Sequence, residues 1–390
     1  MTTTMDDDSS AERAPAGASV LRDAAPSEMA GIAAPSETAG PARSVVLFGF
    51  GVGGRFFHAP FIASTPGLRL AAIVTNDPGR ADQARAEHPE AEVLGVDQAL
   101  ERLDTFDVVD VSTVNRSHIP LGIAALAAGR DVVIDKPVAV DRRGVETLAD
   151  AASRADRWVV PYHSRRWDGD FRTVQSLIAD GRLGAVHRFE SRFERWRPVP
   201  KGGWRESVDP GEGGGLLLDL GSHLADQAMV LFGPVASVYA EVRSVRRGVP
   251  DDDVFVALDH ASGTVSHLWA SAVAADVGSR FRVLGAAGAF SCTGMDPQEA
   301  WLYGGARPST SETGAWGAYP AEQWGTVGSS SEREAVPTVN GDIGGFWREL
   351  VVALERRSQP PVTVADGVRC LAVLDAARES ARTGRTVAVG

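Results

Sequence analysis

From Ser44 onward the chain alternates short apolar runs with helical patterns. Ser44-Val45-Val46-Leu47-Phe48 ends at Gly49, the pattern of a strand buried on both faces. Similar runs cover Leu68 to Thr75, Asp107 to Ser112, Asp131 to Ile134 and Trp158 to Pro161. Between them, Pro120 to Ala128 is rich in Ala and Leu and stops at Gly129. Asp141 is placed to cap a helix with Val145, Leu148, Ala149 and Ala152 on one side. Strand–helix alternation predicts right-handed βαβ units and a parallel sheet.

After about residue 162 the rhythm changes. Asp168 is placed to cap a helix with Phe171, Val174, Leu177 and Ile178 inward, closed by Gly181. Longer, more alternating runs follow: Ala185 to Trp196, Val235 to Val242, Val254 to His260, Thr264 to Ser271 and Arg280 to Leu284. Gly285 to Gly288 predicts a hairpin turn before Ala289-Phe290. Strands without intervening helices predict a mostly antiparallel sheet. Residues 305 to 340, rich in Gly, Ser and Thr, read as a loop excursion, and two final helices are predicted at Ile343 to Arg356 and Asp366 to Thr383. The expected organisation is a tail (1–42), an α/β dinucleotide-binding domain (43–162) and an α+β domain (163–390). The tail is expected to be disordered, because it lacks the large apolar residues needed to offset the entropy of ordering.

Composition narrows the function classes. Lys plus Arg is 39 and Asp plus Glu is 51, a net charge of −12, which argues against a general affinity for nucleic acid or anionic lipid. Cys292 and Cys370 are the only cysteines, too few for a disulfide framework and consistent with a cytoplasmic location. No apolar run approaches the length of about 20 residues needed to span a bilayer. Glycine is abundant, at 42 residues, so its placement matters.

Gly49-Phe50-Gly51-Val52-Gly53-Gly54 fits G-x-G-x-x-G directly after a buried strand. The first glycine permits the tight turn, the second lets backbone approach a pyrophosphate, and the third lets the next helix pack on the sheet. The helix start then offers free N–H groups to phosphate. The second strand ends at Thr75 and Asn76, followed by Asp77 and Arg80. An acid at the strand end would bond the ribose 2′-OH of NAD. A hydroxyl, an amide and a nearby arginine favour NADP(H). Asp77 reaching the ribose in a shifted register would instead keep NAD(H).

Two clusters carry candidate chemistry. Asp135-Lys136-Pro137 ends a further strand, at the ligand edge of such a sheet. Lys136 there can exchange a proton with a substrate hydroxyl; the alternative is a salt-bridged surface lysine. Asp219 and His223 stand four apart after Gly213 to Gly215 and share one face of a helix start. A carboxylate beside an imidazole suits proton transfer or hydroxyl binding, and also suits a helix cap with a structural histidine. No third ligand with convincing spacing is nearby, so no metal is expected. Arg192, Arg195, Arg197, Lys201 and Arg205 gather with Trp196 and Trp204, either around a polyol, acid or phosphorylated sugar or along a solvated sheet edge. His58 reads as part of a structural His-Ala-Pro turn.

Taken together, GFGVGGRFFHAP (Gly49 to Pro60), VDVSTVNRSHIPLGIAALAAGRDVVIDKP (Val109 to Pro137), SRRWDGDF (Ser164 to Phe171) and GGGLLLDLGSHLADQ (Gly213 to Gln227) resemble the Gfo/Idh/MocA oxidoreductases. The resemblance covers about residues 43 to 385. It implies a Rossmann domain, an open-faced α+β domain and a nicotinamide cofactor. It carries proton-transfer roles to Lys136 and His223, and a substrate-binding or orienting role to Asp219. It places Ser112, Thr113, Asn115 and His118 along the cofactor, with Asp135, and Arg165 or Arg166 near the cleft. Two departures stand out: most members have Glu-Lys-Pro where this chain has Asp135-Lys136-Pro137, and Thr75 or Asn76 replaces the acid that selects NAD.

The expected activity is NAD(P)-dependent hydride transfer to or from a hydroxyl-bearing carbon of a sugar, cyclitol or related polyol. One alternative on the same fold is a tightly held cofactor serving epimerisation or glycoside cleavage. Another is a non-catalytic, dinucleotide-sensing regulator. The resemblance also implies a homodimer or homotetramer; no nucleic-acid or membrane partner is expected.

Overall fold

The computed structural model describes residues 41–200, 202, 206, 213–308 and 316–390. Most of the expected tail lies outside them. The short apolar runs form parallel strands β1 (Arg43–Phe48), β2 (Leu68–Val74), β3 (Glu92–Leu94), β4 (Val108–Val111), β5 (Asp131–Asp135) and β6 (Val159–Tyr162). They pair in the order β3-β2-β1-β4-β5-β6, so the chain reverses direction across the sheet between β1 and β4. That switch point is where an open α/β sheet leaves a crevice for a ligand.

The crossover helices are α1 (Ala59–Ser64), α2 (Pro78–Glu87), α3 (Val96–Leu100), α4 (His118–Ala127) and α5 (Arg142–Ala155). Asp141 caps α5 as expected, accepting from the Gly144 N–H at 2.8 Å, and Val145, Leu148 and Ala152 are buried. Strand side chains alternate between two clusters. Val46, Phe48, Val109, Val132 and Ile134 pack beneath α4 and α5. Val45, Leu47, Val108, Val133 and Val160 face the other way.

The second sheet is built from β7 (Val186–Glu194), β8 (Val235–Arg243), β9 (Asp253–His260), β10 (Val265–Ser271), β11 (Phe281–Gly285), β12 (Ala289–Cys292), β13 (Gly325–Gly328), β14 (Arg333–Val336) and β15 (Val387–Ala388). Its order is β14-β13-β12-β11-β7-β10-β9-β8-β15. The β7–β10 pair is parallel and the other pairs are antiparallel. The remaining helices are α6 (Gly169–Ala179), α7 (Leu216–Asp219), α8 (Gly221–Phe232), α9 (Pro297–Tyr303), α10 (Gly344–Arg356) and α11 (Val364–Thr383). No helix among the described residues is long and apolar enough to cross a membrane.

Three local expectations are corrected. The 305–340 excursion contains the β13–β14 hairpin, whose short, polar strands give little apolar signal. Asp168 precedes α6 without capping it, because Asp296, Tyr319 and Asp170 accept from the first-turn N–H groups instead. Asp219 and His223 do not share one helix: the chain breaks at Leu220 between α7 and α8.

The last helices close the first sheet. Phe346, Trp347, Leu350, Val351 and Leu354 of α10 complete the cluster around Val45 and Leu47. Trp347 is wholly buried against Tyr162. Truncating it to alanine is expected to cost about 3–5 kcal/mol, the range for large aromatics in cores. Denaturant unfolding checks this, and a loss below about 1 kcal/mol would contradict the packing.

Candidate active site

Each glycine of the loop after β1 answers a separate constraint. Gly49 has a φ of +98°, and a Cβ there would lie 2.2 Å from the Ser112 carbonyl oxygen. A Cβ on Gly54 would lie 2.0 Å from the Gly49 oxygen. At Gly51 a Cβ would meet only Arg80 Nη1, at 3.9 Å, so the backbone there faces open space. A dinucleotide pyrophosphate needs that free approach, and the residues present fit it. The chain then enters a π-helical turn, Gly53–His58, before α1. Gly54→Ala is expected to weaken dinucleotide binding by tenfold or more, since relieving the clash moves the loop; about 1.4 kcal/mol of displacement suffices. Fluorescence titration measures it, and unchanged affinity would refute the packing role.

The ends of neighbouring strands converge on this loop. Asp135 accepts from the Lys136 backbone N–H at 2.8 Å and from Ser112 Oγ at 3.3 Å. The Lys136-Pro137 peptide is cis. Lys136 Nζ donates to Asp219 Oδ1 at 3.0 Å and to the Asp219 carbonyl at 2.6 Å. Two segments 83 residues apart thus meet in one charge pair. His223 enters the same cleft from α8. Burial first, then Lys136 and Arg165, push its pKa well below the ordinary value, so its ring is neutral.

These groups line a cleft of about 790 Å³ with Phe57, Trp301 and Tyr303 on one wall. Arg165 lies across it, bonded to Asp168 at 3.1 Å and to Glu299 at 2.5 Å. Although burial opposes ionisation, Arg165 keeps the Glu299 carboxyl below its usual range.

The other expected site residues separate. Phe50 is buried, whereas Val52 and Gly53 reach the cleft. Thr75 and Asn76 stand at the end of β2: Asn76 Oδ1 accepts from Val96 N–H at 3.0 Å, and Thr75 Oγ1 from Asp77 N–H at 3.2 Å. Asp77 Oδ1 caps α2 by accepting from Arg80 N–H at 2.9 Å. Thr113 follows β4 and is half-buried. Asn115 Nδ2 donates to the Gly213 carbonyl at 3.2 Å, tying the loop after β4 to the second cluster.

Two of the expected cofactor residues, His118 and Arg166, lie outside the cleft lining. His118 is buried, its ring nitrogens 3.0 Å from the Pro137 oxygen and 3.2 Å from the Thr113 oxygen, so it braces the loops from beneath. Arg166 does not line the cleft. Asp226 holds its guanidinium at 2.8 and 2.6 Å on the far side of the turn. Of the arginine cluster, Arg195 and Arg197 line the cleft, while Arg192 stacks 3.9 Å over Trp269 on the opposite sheet face. Trp196 is exposed, and Lys201, Trp204 and Arg205 lie outside the described residues.

Sequence reasoning missed a charge pair beneath the loop. His58 is fully buried, with Nδ1 2.8 Å from Asp110 Oδ2 and Nε2 3.7 Å from Asp135 Oδ1. Burial opposes its charge, but the two carboxylates raise its pKa to about 10. Burial also opposes ionisation of Asp135, yet His58 and Lys136 keep its carboxyl well below the usual range. The signal was present: an acid inside the apolar strand Val108–Val111 requires a partner.

Comparison with known proteins agrees with this geometry. A family model described as the NAD-binding Rossmann fold of the Gfo/Idh/MocA oxidoreductases matches residues 43–163, and the model of the family's C-terminal domain matches residues 171–291. The uncharacterized oxidoreductase YdgJ of Escherichia coli is 33% identical over 88% of this chain and 97% of its own length. The NADP(+)-dependent scyllo-inositol 2-dehydrogenase IolW of Bacillus subtilis is 30% identical over 88% of this chain and 95% of its own. The solved structure of a Klebsiella pneumoniae protein, 33% identical, gives a TM-score of 0.80 over 89% of this chain and 96% of that one. The chain belongs to the Gfo/Idh/MocA family of NAD-binding oxidoreductases.

Proposed function

We propose that the protein is an NADP(H)-preferring dehydrogenase acting on a hydroxyl-bearing carbon of a sugar or cyclitol. The Lys136–Asp219 pair at the mouth of the glycine loop carries this reading. It supplies a cation and a carboxylate beside the neutral ring of His223, in a cleft with an aromatic wall. Aromatic faces suit the C–H surface of a sugar, and the polar groups suit its hydroxyls. IolW and the D-glucoside 3-dehydrogenase of Escherichia coli, both similar in sequence, are named for cyclitol and sugar substrates.

The nicotinamide ring, when bound, accepts or supplies the hydride. The loop Gly49 to Gly54 orients its phosphates, and Lys136 and Asp219 hold the reacting hydroxyl. In the oxidising direction the carbinol C–H electron pair leaves as hydride. The O–H proton passes to the neutral ring of His223, or to Lys136 as its uncharged amine, and a carbonyl remains. In the reducing direction the same group returns the proton. Holding both reactants in register supplies much of the rate gain.

NADP preference is supported at the end of β2. Asp77 is committed to capping α2, whereas the guanidinium of Arg80 is exposed and has no partner among the described residues. Arg80→Ala is expected to raise the KM for NADP roughly 10- to 100-fold, equivalent to about 1.5–3 kcal/mol for a hydrogen bond to a charged group. The KM for NAD should move little. Steady-state assays with both nucleotides over a sugar and cyclitol panel test both parts. Equal use of NAD by the wild type overturns the preference, and no nicotinamide turnover with any member overturns the dehydrogenase reading.

A further inference from the structure

Acidic side chains outnumber basic ones in the cleft lining, yet two of its cations stand outside the ion pairs. Lys136 is paired with Asp219, and Arg165 with Asp168 and Glu299. Arg195 and Arg197 line the same cleft, and among the described residues neither guanidinium has a hydrogen-bond or ion-pair partner. They leave the end of β7 two residues apart. The period of two puts them on the side of Phe193, whose buried ring lies 6.1 Å from that of His223. The intervening Trp196 is exposed.

Their backbones are held firmly. The Arg195 N–H donates to the Ser271 carbonyl at 2.9 Å, the Arg197 N–H to the Ala272 carbonyl at 2.7 Å, and Arg246 donates to the Arg197 oxygen at 3.2 Å. Burial, and then Arg197, depress the pKa of Arg195, while Asp219 and Glu299 act the other way without bonding it. Two adjacent half-buried guanidiniums that no described side chain bonds are free to receive an anion, and their planar forks match the oxygens of carboxylate or phosphate.

We propose that Arg195 and Arg197 form an anion subsite and that the substrate is a sugar or cyclitol bearing a carboxylate or phosphate group. This rests on the dehydrogenase reading for the identity of the polyol, but the subsite stands on the unpaired arginines alone. The anionic group sits at the β7 side of the cleft, and the reacting hydroxyl lies at Lys136, Asp219 and His223. The cofactor phosphates are served separately, by the glycine loop and Arg80.

Calorimetric titration of the NADP-loaded full-length protein tests the subsite. The probes are D-glucose against D-glucuronate and D-glucose 6-phosphate, and myo-inositol against its monophosphate. In the wild type, the charged member of at least one pair should bind ten times or more tighter than its neutral parent. The glucuronate and phosphate arms distinguish the two anions. In the double variant Arg195→Gln/Arg197→Gln that ratio should fall at least tenfold, and the Arg→Lys pair should restore part of it. A wild-type ratio near one, no binding of any charged probe, or a ratio unchanged in the double variant overturns the subsite. Nicotinamide absorbance is recorded on the same samples. Charge-selective binding without turnover of any probe would count against the dehydrogenase reading and leave the subsite standing.

Discussion

Lys136→Met is expected to lower turnover by about 10²–10⁴, the usual scale for a positioned proton-transfer group. Methionine keeps much of the side chain's volume but removes the charge that bonds both the side chain and the carbonyl of Asp219. Dinucleotide binding should be largely retained, because the glycine loop is held by bonds that do not involve Lys136: Gly49 N–H donates to the Val74 carbonyl and Arg55 N–H to the Gly51 carbonyl, each at 2.9 Å. Lys136→Arg should rescue little: a guanidinium keeps the charge but is planar and does not release its proton in this pH range. Stopped-flow turnover and nucleotide titration on the same preparation separate the two effects. Near-normal turnover in Lys136→Met, with an identified substrate, would sink the assignment of Lys136.

His58→Leu is expected to destabilise the fold by about 3–5 kcal/mol, the cost of removing one partner from a buried ion pair. Asp110 would be left as a carboxylate in a fully buried site, and Asp135 would lose one of its counter-charges. The pH dependence identifies the cause. His58 has a pKa of about 10 when folded and 6.5 as the reference for the unfolded chain. Its stabilisation is therefore complete below pH 6.5 and fades as the pH rises through about 10. The wild-type advantage over His58→Leu should shrink across that window. In the variant, acid should help, because protonating Asp110 removes the unpaired charge. The double variant His58→Leu/Asp110→Leu should recover part of the loss. Denaturant titrations from pH 6 to 10 decide the matter, and a wild-type advantage that does not change with pH would rule out the charged pair.

The strands of the first sheet were legible because burial on both faces leaves uninterrupted apolar runs. The phosphate loop was legible because its glycines answer steric demands local to one turn. Lys136, Asp219 and His223 were legible as residue types at the expected edges, but their meeting was not. It depends on packing two sheets together across 83 residues. Arg165 and Arg166 show the limit sharply. They are neighbours in one 3-10 turn, and only the turn's geometry sends the first into the cleft and the second to Asp226. Helix α2 was missed because Ala84 is its only buried residue, so it has no apolar stripe to read. His58 was assigned to a local turn because both its partners come from other strands.

The seal that α10 forms over the first sheet has a consequence for biogenesis. All six strands of that sheet are synthesised by residue 162, yet one face, covered only in part by α1 and α2, is not closed until α10 has been made. Trp347 meets Tyr162 from 185 residues away, and Arg43 bonds the Leu354 carbonyl from 311 away. Contacts of such separation form slowly, and apolar surface exposed meanwhile is a target for chaperones and proteases. A nascent chain stalled before α10 would carry an almost complete nucleotide fold with part of one apolar flank exposed. The nucleotide fold is therefore complete only after α10 has been made, long after its own last strand.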